Sequence, residues 1–146
     1  MSSTAEVKSF NPENHPPLAP TYSQISIVPI STTTKLVSIA GQTGTSIADA
    51  HNVSFQDQVR RALANVDVCL TAAGASKRNI VSLRQYVVKM SSLHPEDAKA
   101  RGSIISAWWK DTEGDLAPPP STLIGVDSLV GKDITYEVEI TCVVGV

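Results

Sequence analysis

The sequence predicts an α+β fold in which one mixed β-sheet is covered on one face by two amphipathic helices. Short segments with apolar residues at every second position, the period of a half-buried strand, lie on both sides of two segments whose apolar residues recur every three or four positions. The chain has 146 residues, of which 42% are apolar and 18% are charged. It can therefore bury one core and is too apolar for intrinsic disorder. The predicted order of elements is β-β-α-β-α-β-β.

Residues 1–20 are predicted to form an N-terminal tail ahead of a single domain over residues 21–146. The tail contains four prolines and no sustained apolar period, and proline lacks the backbone N–H that helices and sheet ladders use. The domain then opens with two short apolar segments, residues 24–28 and 36–40, separated by a polar stretch rich in threonine. Two short strands joined by such a turn predict a β-hairpin.

Two later segments are predicted to be amphipathic helices. The first covers residues 54–73, with Ser54 in a capping position and Gly74 as the left-handed residue that follows the helix. The second begins at His94 and Pro95, because proline is tolerated in the first turn of a helix. The apolar stripe of the first helix consists of Val59, Ala62, Leu63, Val66, Leu70 and Ala73.

The remaining strands are predicted at residues 80–88, 122–129 and 133–144, and the last of these has the clearest alternation. Its acidic residues Glu137 and Glu139 point to the face opposite to its apolar residues. That face is either exposed to water, as antiparallel sheets allow, or buried between subunits around a polar cleft. We favour the second interpretation and expect an oligomer.

Charge and composition exclude several classes of function. Twelve basic and 14 acidic side chains give a net charge of −2, so sequence-independent nucleic-acid binding is not expected. The longest apolar runs are far short of the roughly 20 residues that span a bilayer, and the first residues lack the apolar stretch of a secretory signal. The two cysteines and three histidines are widely separated, which predicts neither a disulfide framework nor a metal site. We expect a soluble cytoplasmic protein with no metal, cofactor, nucleic-acid partner or membrane contact.

Six short motifs follow one another along the domain, from about Pro20 to Val144. They are Pro20-Thr21-Tyr22-Ser23-Gln24, Ile39-Ala40-Gly41-Gln42, the segment from Val66 through Ala72-Ala73-Gly74, Val87-Val88-Lys89, the strand from Pro120-Ser121-Thr122 to Val126, and Tyr136-Glu137-Val138-Glu139. Each motif is weak alone, but their order and spacing make the chain similar to the Rid family, whose members are also called YjgF or L-PSP proteins.

This resemblance implies a chorismate-mutase-like fold, a homotrimer, and a site between adjacent subunits that binds a small molecule. Many members of the family deaminate reactive enamines and imines. A tyrosine and a glutamate serve that reaction, and the residues that match them here are Tyr22 and Glu137, which we predict to be catalytic. The residues that the resemblance assigns to substrate binding are Ala40, Gly41, Gln42, Gly102, Ser121 and Leu123.

The chain departs from the family's pattern at several of these positions. The family's serine is Ala40 here, its helical asparagine falls near Gly102, and a cysteine found in many members is Leu123. The family's carboxylate-binding arginine is replaced by Ser121 or by Pro120. A guanidinium makes two parallel hydrogen bonds to a carboxylate, and neither serine nor proline can supply them.

The loss of that arginine argues against a standard 2-iminoacid deaminase. Losing such a contact at a desolvated site costs about 2–5 kcal/mol. A pocket with Ala40, Leu123 and Gly125 is also more apolar, which fits a larger or uncharged ligand. Arg84 or Arg101 could reach the cleft instead, and the sequence leaves both open.

Each candidate residue also has a purely structural interpretation. Glu137 is either a general acid/base with a raised pKa or a sheet-face acid bonded to a backbone amide or a neighbouring threonine. Tyr22 either forms a wall of the pocket or packs at a strand edge. Gly41 and Gln42 either present backbone N–H groups to the cleft or form an ordinary turn.

The sequence therefore predicts a small-molecule enzyme with the scaffold of the Rid family. We expect it to act on a reactive imine, enamine or similar unsaturated intermediate in a specialised pathway. The alternative is a non-catalytic member of the family that binds a small molecule or acts as a chaperone. Ribonuclease activity, which is reported for some relatives, is disfavoured by the acidic balance of charge.

Overall fold

Six strands and two helices make up the regular structure of the residues that the computed structural model describes, namely 5–13, 15, 20–44, 53–110 and 116–146. In chain order they are β1 (Lys8–Phe10), β2 (Ile25–Pro29), β3 (Thr34–Thr43), α1 (Phe55–Ala72), β4 (Ile80–Val88), α2 (Pro95–Lys110), β5 (Ser121–Val126) and β6 (Tyr136–Gly145). Short 3₁₀ turns cover Lys77–Asn79 and Met90–Ser92.

All six strands belong to one mixed sheet with the order β1-β2-β3-β6-β4-β5. The pair β4 and β5 is parallel and the other neighbouring pairs are antiparallel. A parallel pair needs a long crossover connection, and α2 provides it. The predicted α+β class, with a mixed sheet and two helices, is therefore confirmed.

The core lies between the helices and one face of the sheet. Helix α1 packs on β3 and β6, and α2 packs beside α1. The alternation predicted for the last strand is confirmed, since its apolar positions are buried and its acidic positions are only half-buried. We call the face with Arg84, Tyr86, Glu137 and Glu139 the open face. The buried core residues of the three central strands are Val37, Ile39, Ile80, Leu83, Val87, Tyr136, Val138, Ile140 and Cys142.

Helix α1 has the ends that the sequence predicts. Ser54 is the N-cap, and its hydroxyl oxygen accepts a hydrogen bond from the backbone N–H of Asp57 at 3.1 Å. Gly74 follows the helix with φ +68°, the left-handed conformation that glycine adopts without steric cost. Within the described part of the chain, neither helix has the length and apolarity needed to cross a membrane.

The expectation that the N-terminal tail enters no ladder is wrong for Lys8–Phe10. This segment pairs antiparallel with β2, with Phe10 opposite Ile25. The side chain of Asn11 then accepts a hydrogen bond from the backbone N–H of Gln24 at 2.8 Å. A three-residue strand is too short to show a period, so the pairing could not be read from the sequence. Residues 1–4, 14 and 16–19 of the predicted tail lie outside the described residues.

Both cysteines are free and buried in the core. Burial raises the pKa of the Cys69 thiol to about 11 and that of the Cys142 thiol to about 12. The thiolate is the reactive form of cysteine, so both side chains act as small apolar groups at neutral pH.

Gly102 offers a direct test of the helix assignment. It lies inside α2, and no atom comes within 4 Å of the position that a Cβ would occupy. Alanine is favoured over glycine in a helix by about 1 kcal/mol, so we expect Gly102→Ala to raise the free energy of unfolding by up to about that amount. Denaturant unfolding followed by circular dichroism measures it. The control Gly74→Ala should be destabilising because of its positive φ, and an equal loss in Gly102→Ala would contradict the prediction.

Candidate functional site

A β-bulge brings Gly41 against the side chain of Glu137. The register between β3 and β6 shifts between Ile39 and Gln42, so that Ala40 and Gly41 form an irregular step in β3. A Cβ added to Gly41 would overlap the carboxylate of Glu137. The absence of a side chain at this position is therefore what allows the carboxylate to lie flat against the backbone of β3.

The carboxylate of Glu137 has an unusual environment for an acid on a sheet. It is half-buried, and no cation or hydrogen-bond donor among the described residues contacts it. Burial, with a smaller contribution from the negative charge of Glu139, raises its pKa above the ordinary value of 4.5. A carboxyl group whose pKa is raised in this way holds its proton closer to neutral pH and can act as a general acid.

Glu139, two residues further along the same face, is held by two partners. Its carboxylate accepts a hydrogen bond from the hydroxyl of Tyr86 at 2.8 Å and forms an ion pair with Arg84 at 3.3 Å. The two acids of β6 therefore have different surroundings. Glu139 has a cation and a hydrogen-bond donor beside it, and Glu137 has neither among the described residues. Arg84, one of the two arginines that the sequence left open as a substitute cation, is engaged by Glu139.

The side chain of Gln42, a predicted substrate-binding residue, points to the face of the sheet opposite to Glu137. Its side chain is buried and donates hydrogen bonds to the side chain of Gln24 and to the carbonyl oxygen of Ala40, the latter at 2.8 Å. Its amide oxygen lies 2.8 Å from Nε2 of His15. The side chain of Gln42 therefore fixes the bulge from the core side and ties the N-terminal segment to it.

A second group of predicted site residues surrounds a small cavity of about 120 Å³ between α2 and the start of β5. Ser121 and Gly102 line it, together with Arg101. Arg101 is the other arginine that the sequence left open. The apolar walls are Leu83, Ile105, Trp108, Trp109, Pro118 and Pro119.

Gln85 organises the polar side of this cavity. Its amide group donates to the hydroxyl of Ser121 at 2.8 Å, and its oxygen accepts from Nη1 of Arg101 at 2.9 Å and from the hydroxyl of Tyr136 at 3.0 Å. Burial raises the pKa of Tyr136 and keeps it a donor. Neither Gln85 nor Tyr136 could be recognised as a site residue from the sequence, because a buried polar side chain in a strand has no spacing signal that distinguishes it from a core residue.

The two groups lie on opposite faces of the sheet within one chain. Tyr86 is opposite Glu137 in the register and points to the open face, whereas Gln85 is opposite Val138 and Leu123 and points to the helices. Ser121 shares the face of Gln85, to which it is bonded. A single chain therefore does not bring Ser121, Leu123 and Gly102 to Glu137.

The other predicted residues are exposed or serve the bulge. Tyr22 lies before β2 with 50% of its surface exposed, and Leu123 is 38% exposed. The backbone N–H of Ala40 donates to the carbonyl oxygen of Gln24 at 2.8 Å, so it is part of the bulge. Among the described residues, no three His, Cys, Asp or Glu side chains are grouped as metal ligands.

The sheet order, the two helices on one face and the bulge opposite an unpaired glutamate define an α+β domain of the L-PSP type. The chain belongs to the family described as Endoribonuclease L-PSP, also called the YjgF or Rid family, whose family model matches residues 13–144. The resemblance seen in the sequence motifs is thereby confirmed. The chain matches none of the curated proteins.

Many solved structures share the fold. TdcF from E. coli, determined with bound serine, has 22% sequence identity and a TM-score of 0.73, with 94% of this chain and 98% of that chain covered. Yeast Mmf1 has 20% identity and a TM-score of 0.73 over the same shares of the two chains. A protein of unknown function from Pseudomonas aeruginosa has 21% identity and a TM-score of 0.75, with 95% of this chain and 93% of that chain covered. At these identities the comparison establishes the fold alone.

The contact between Gly41 and Glu137 can be tested by a double-mutant cycle. We expect Gly41→Ala to lower the free energy of unfolding by about 1–3 kcal/mol, since the added methyl group must displace the carboxylate. In the Glu137→Ala background the same substitution should cost less, with a coupling energy of at least about 0.5 kcal/mol. Gly44→Ala is the control, because a Cβ there meets the backbone of Gln58 instead. Strict additivity of Gly41→Ala and Glu137→Ala would contradict the contact.

The raised pKa of Glu137 predicts how stability depends on pH. The folded state binds this proton more tightly than the unfolded state, so the ionisation of Glu137 removes stability as pH rises above 4.5 and through the raised pKa. The Glu137→Gln variant has no such ionisation, so its free energy of unfolding minus that of the wild type should increase from pH 4 to pH 8. Denaturant unfolding at several pH values measures the difference. A difference that is constant with pH, or that falls, would show that the environment does not disfavour the charged form.

Proposed function

We propose that the protein is a small-molecule enzyme that acts on a reactive imine, enamine or related unsaturated compound. The observation that carries this proposal is the carboxylate of Glu137, which is half-buried, unpaired and has a raised pKa. Structural acids on a sheet face are normally paired or solvated, as Glu139 is paired with Arg84 and Tyr86. An acid that is kept away from cations is suited to proton transfer.

The chemistry needs one proton donor that can also accept a proton. The neutral carboxyl group of Glu137 protonates the nitrogen of an imine, and water then adds to the carbon of the C=N bond. One proton of the added water passes to the nitrogen, and the other returns to the carboxylate as the C–N bond breaks, so that the imine and water become a carbonyl compound and ammonia. For an enamine, the same carboxyl group first protonates the carbon. General acid–base catalysis of this kind contributes about 10²- to 10⁴-fold.

The complete site in this proposal is formed between copies of the chain. The Gly41 and Glu137 group and the cavity around Arg101 and Ser121 lie on opposite faces of one sheet. They can meet only if the open face of one copy lies against the cavity edge of another. A closed ring of three copies, as the family resemblance implies, allows each copy to give one group to each of two sites.

Arg101 is the cation that the cavity offers in place of the family's arginine, whose position is held here by Ser121 or by Pro120. Among the described residues its guanidinium makes one hydrogen bond, to Gln85, which leaves further donors for a ligand. Arg101 extends from α2, whereas the family's arginine would extend from the start of β5. An acidic group bound by Arg101 therefore lies at a different place from one bound by an arginine on the strand. This difference supports a substrate other than the family's common 2-imino acids.

The experiment is a turnover assay on imines generated enzymatically from a panel of amino acids and amines, with release of ammonia as the readout. We expect the wild type to accelerate release for a subset of these imines. Glu137→Gln should lose at least about 10²-fold. Glu139→Gln is the matched control on the same strand and should retain most of the activity. Equal turnover by Glu137→Gln and the wild type would remove Glu137 from the mechanism.

Arg101 is tested separately with Arg101→Gln. We expect the KM for an acidic substrate to rise by roughly 10- to 100-fold, since a charge-assisted hydrogen bond is worth about 1.5–3 kcal/mol, while Arg84→Gln should leave KM nearly unchanged. An unchanged KM in Arg101→Gln would show that the guanidinium does not contact the substrate. Saturable binding of an imine analogue without any turnover in the wild type would instead indicate a non-catalytic binding protein.

A further inference from the structure

A second, larger pocket lies at the other end of the helix layer, away from the residues discussed above. It has a volume of about 500 Å³ and lies between the N-terminal turns of α1 and α2, where β4 ends and β6 begins. A volume of this size is typical of sites for small organic ligands. Its lining shares no residue with the cavity at Arg101 or with the Gly41 and Glu137 group. We call it the basic pocket, for its lining residues Lys89, His94 and Lys132.

The charged residues of the basic pocket favour an anion. Lys89 and Lys132 form no ion pair among the described residues, and Asp133 is the acidic residue in the lining. Two ammonium groups against one carboxylate leave the pocket positively charged. Nδ1 of His94 accepts a hydrogen bond from the backbone N–H of Glu96 at 3.3 Å, which leaves Nε2 to donate to a ligand.

Lys89 is held at the pocket by its backbone. Its φ is +47°, and among the described residues Lys89 is the one residue other than glycine that has a positive φ. Its N–H donates to the carbonyl oxygen of Val126 at 2.7 Å, and its carbonyl oxygen accepts from the N–H of Ser92 at 2.8 Å. The left-handed conformation is unfavourable for lysine, and residues held in such conformations cluster at active sites and ligand-binding sites.

Thr135, one of the residues that line the pocket, has an unsatisfied polar group. The hydroxyl oxygen of Thr135 is buried and has no hydrogen-bond partner in the part of the chain that the structure describes. A buried hydroxyl without a partner is destabilising, and native proteins contain few of them. A ligand oxygen that reached this hydroxyl after a rotation of the Thr135 side chain would give it a partner.

We propose that the basic pocket binds a small organic phosphate. Two ammonium groups, an imidazole N–H and the hydroxyl of Ser92 are separate donors that can surround a tetrahedral phosphate. A planar carboxylate is matched better by the fork of an arginine, and no arginine lines this pocket among the described residues. The organic part of the ligand packs against the apolar side chains of Phe55 and Leu93.

The test is calorimetric titration of the full chain with phenyl phosphate, with phenylacetate and benzyl alcohol as ligands that lack the phosphate. We expect one saturable site per chain for phenyl phosphate and weaker binding of the other two. Lys89→Gln and Lys132→Gln should each weaken phenyl phosphate binding by about tenfold, and Lys99→Gln, an exposed lysine of α2 outside the pocket, should not. No saturable binding, or an unchanged affinity in both pocket variants, would overturn the proposal, as would equal or tighter binding of phenylacetate.

Thr135→Val separates a ligand-binding hydroxyl from a merely structural one. Since the hydroxyl has no partner in the unliganded chain, the variant should keep or raise the Tm, while its affinity for phenyl phosphate falls several-fold. A lower Tm with unchanged affinity would contradict this role for Thr135. Glu137→Gln should bind phenyl phosphate as the wild type does, so that the result stands apart from the test of the enzymatic activity.

Discussion

The alternation of side chains along a β-strand determines which polar groups of this protein lie on the same face of the sheet. On β6 it buries Tyr136 and Val138 under the helices and turns Glu137 and Glu139 to the open face. On β4 it separates Gln85 from Tyr86 in the same way. A shift of one residue in β6 would bring Glu137 and Glu139 into the core in place of Tyr136 and Val138. Burial of the core residues thus directs both acids of β6 to the open face and keeps Gln85 beneath the helices.

Within that constraint, the surroundings of each polar group decide what it can do. Glu139 is held by Arg84 and Tyr86, whereas Glu137 lies against Gly41 with a raised pKa. The bulge makes this possible, because it brings a residue without a side chain next to the carboxylate. Two acids that are two residues apart therefore have different chemistry, and the difference arises from their neighbours and not from their own sequence.

The sequence predicts those features that depend on period and capping. The alternation of β6, the stripe of α1, and the cap residues Ser54 and Gly74 all have physical signatures within a few neighbouring residues. Features that depend on distant partners have no such signature. The pairing of β1 with β2 and the hydrogen bonds that join Gln85 to Ser121 and Arg101 connect segments that are far apart in the chain. The family motifs assign Gly41 and Glu137 to one site, and in the structure the two residues lie side by side. The motifs could not show that Ser121 lies on the other face.

Complementation between impaired subunits asks whether Glu137 and Arg101 of different copies form one site. Glu137→Gln and Arg101→Gln chains are unfolded together, refolded as a mixture, and assayed at low substrate concentration. We expect each variant alone to be impaired and the equal mixture to recover about a quarter of the wild-type activity, which is the share of sites in a ring that receive both intact residues. A mixture no more active than the mean of its components would contradict the shared site.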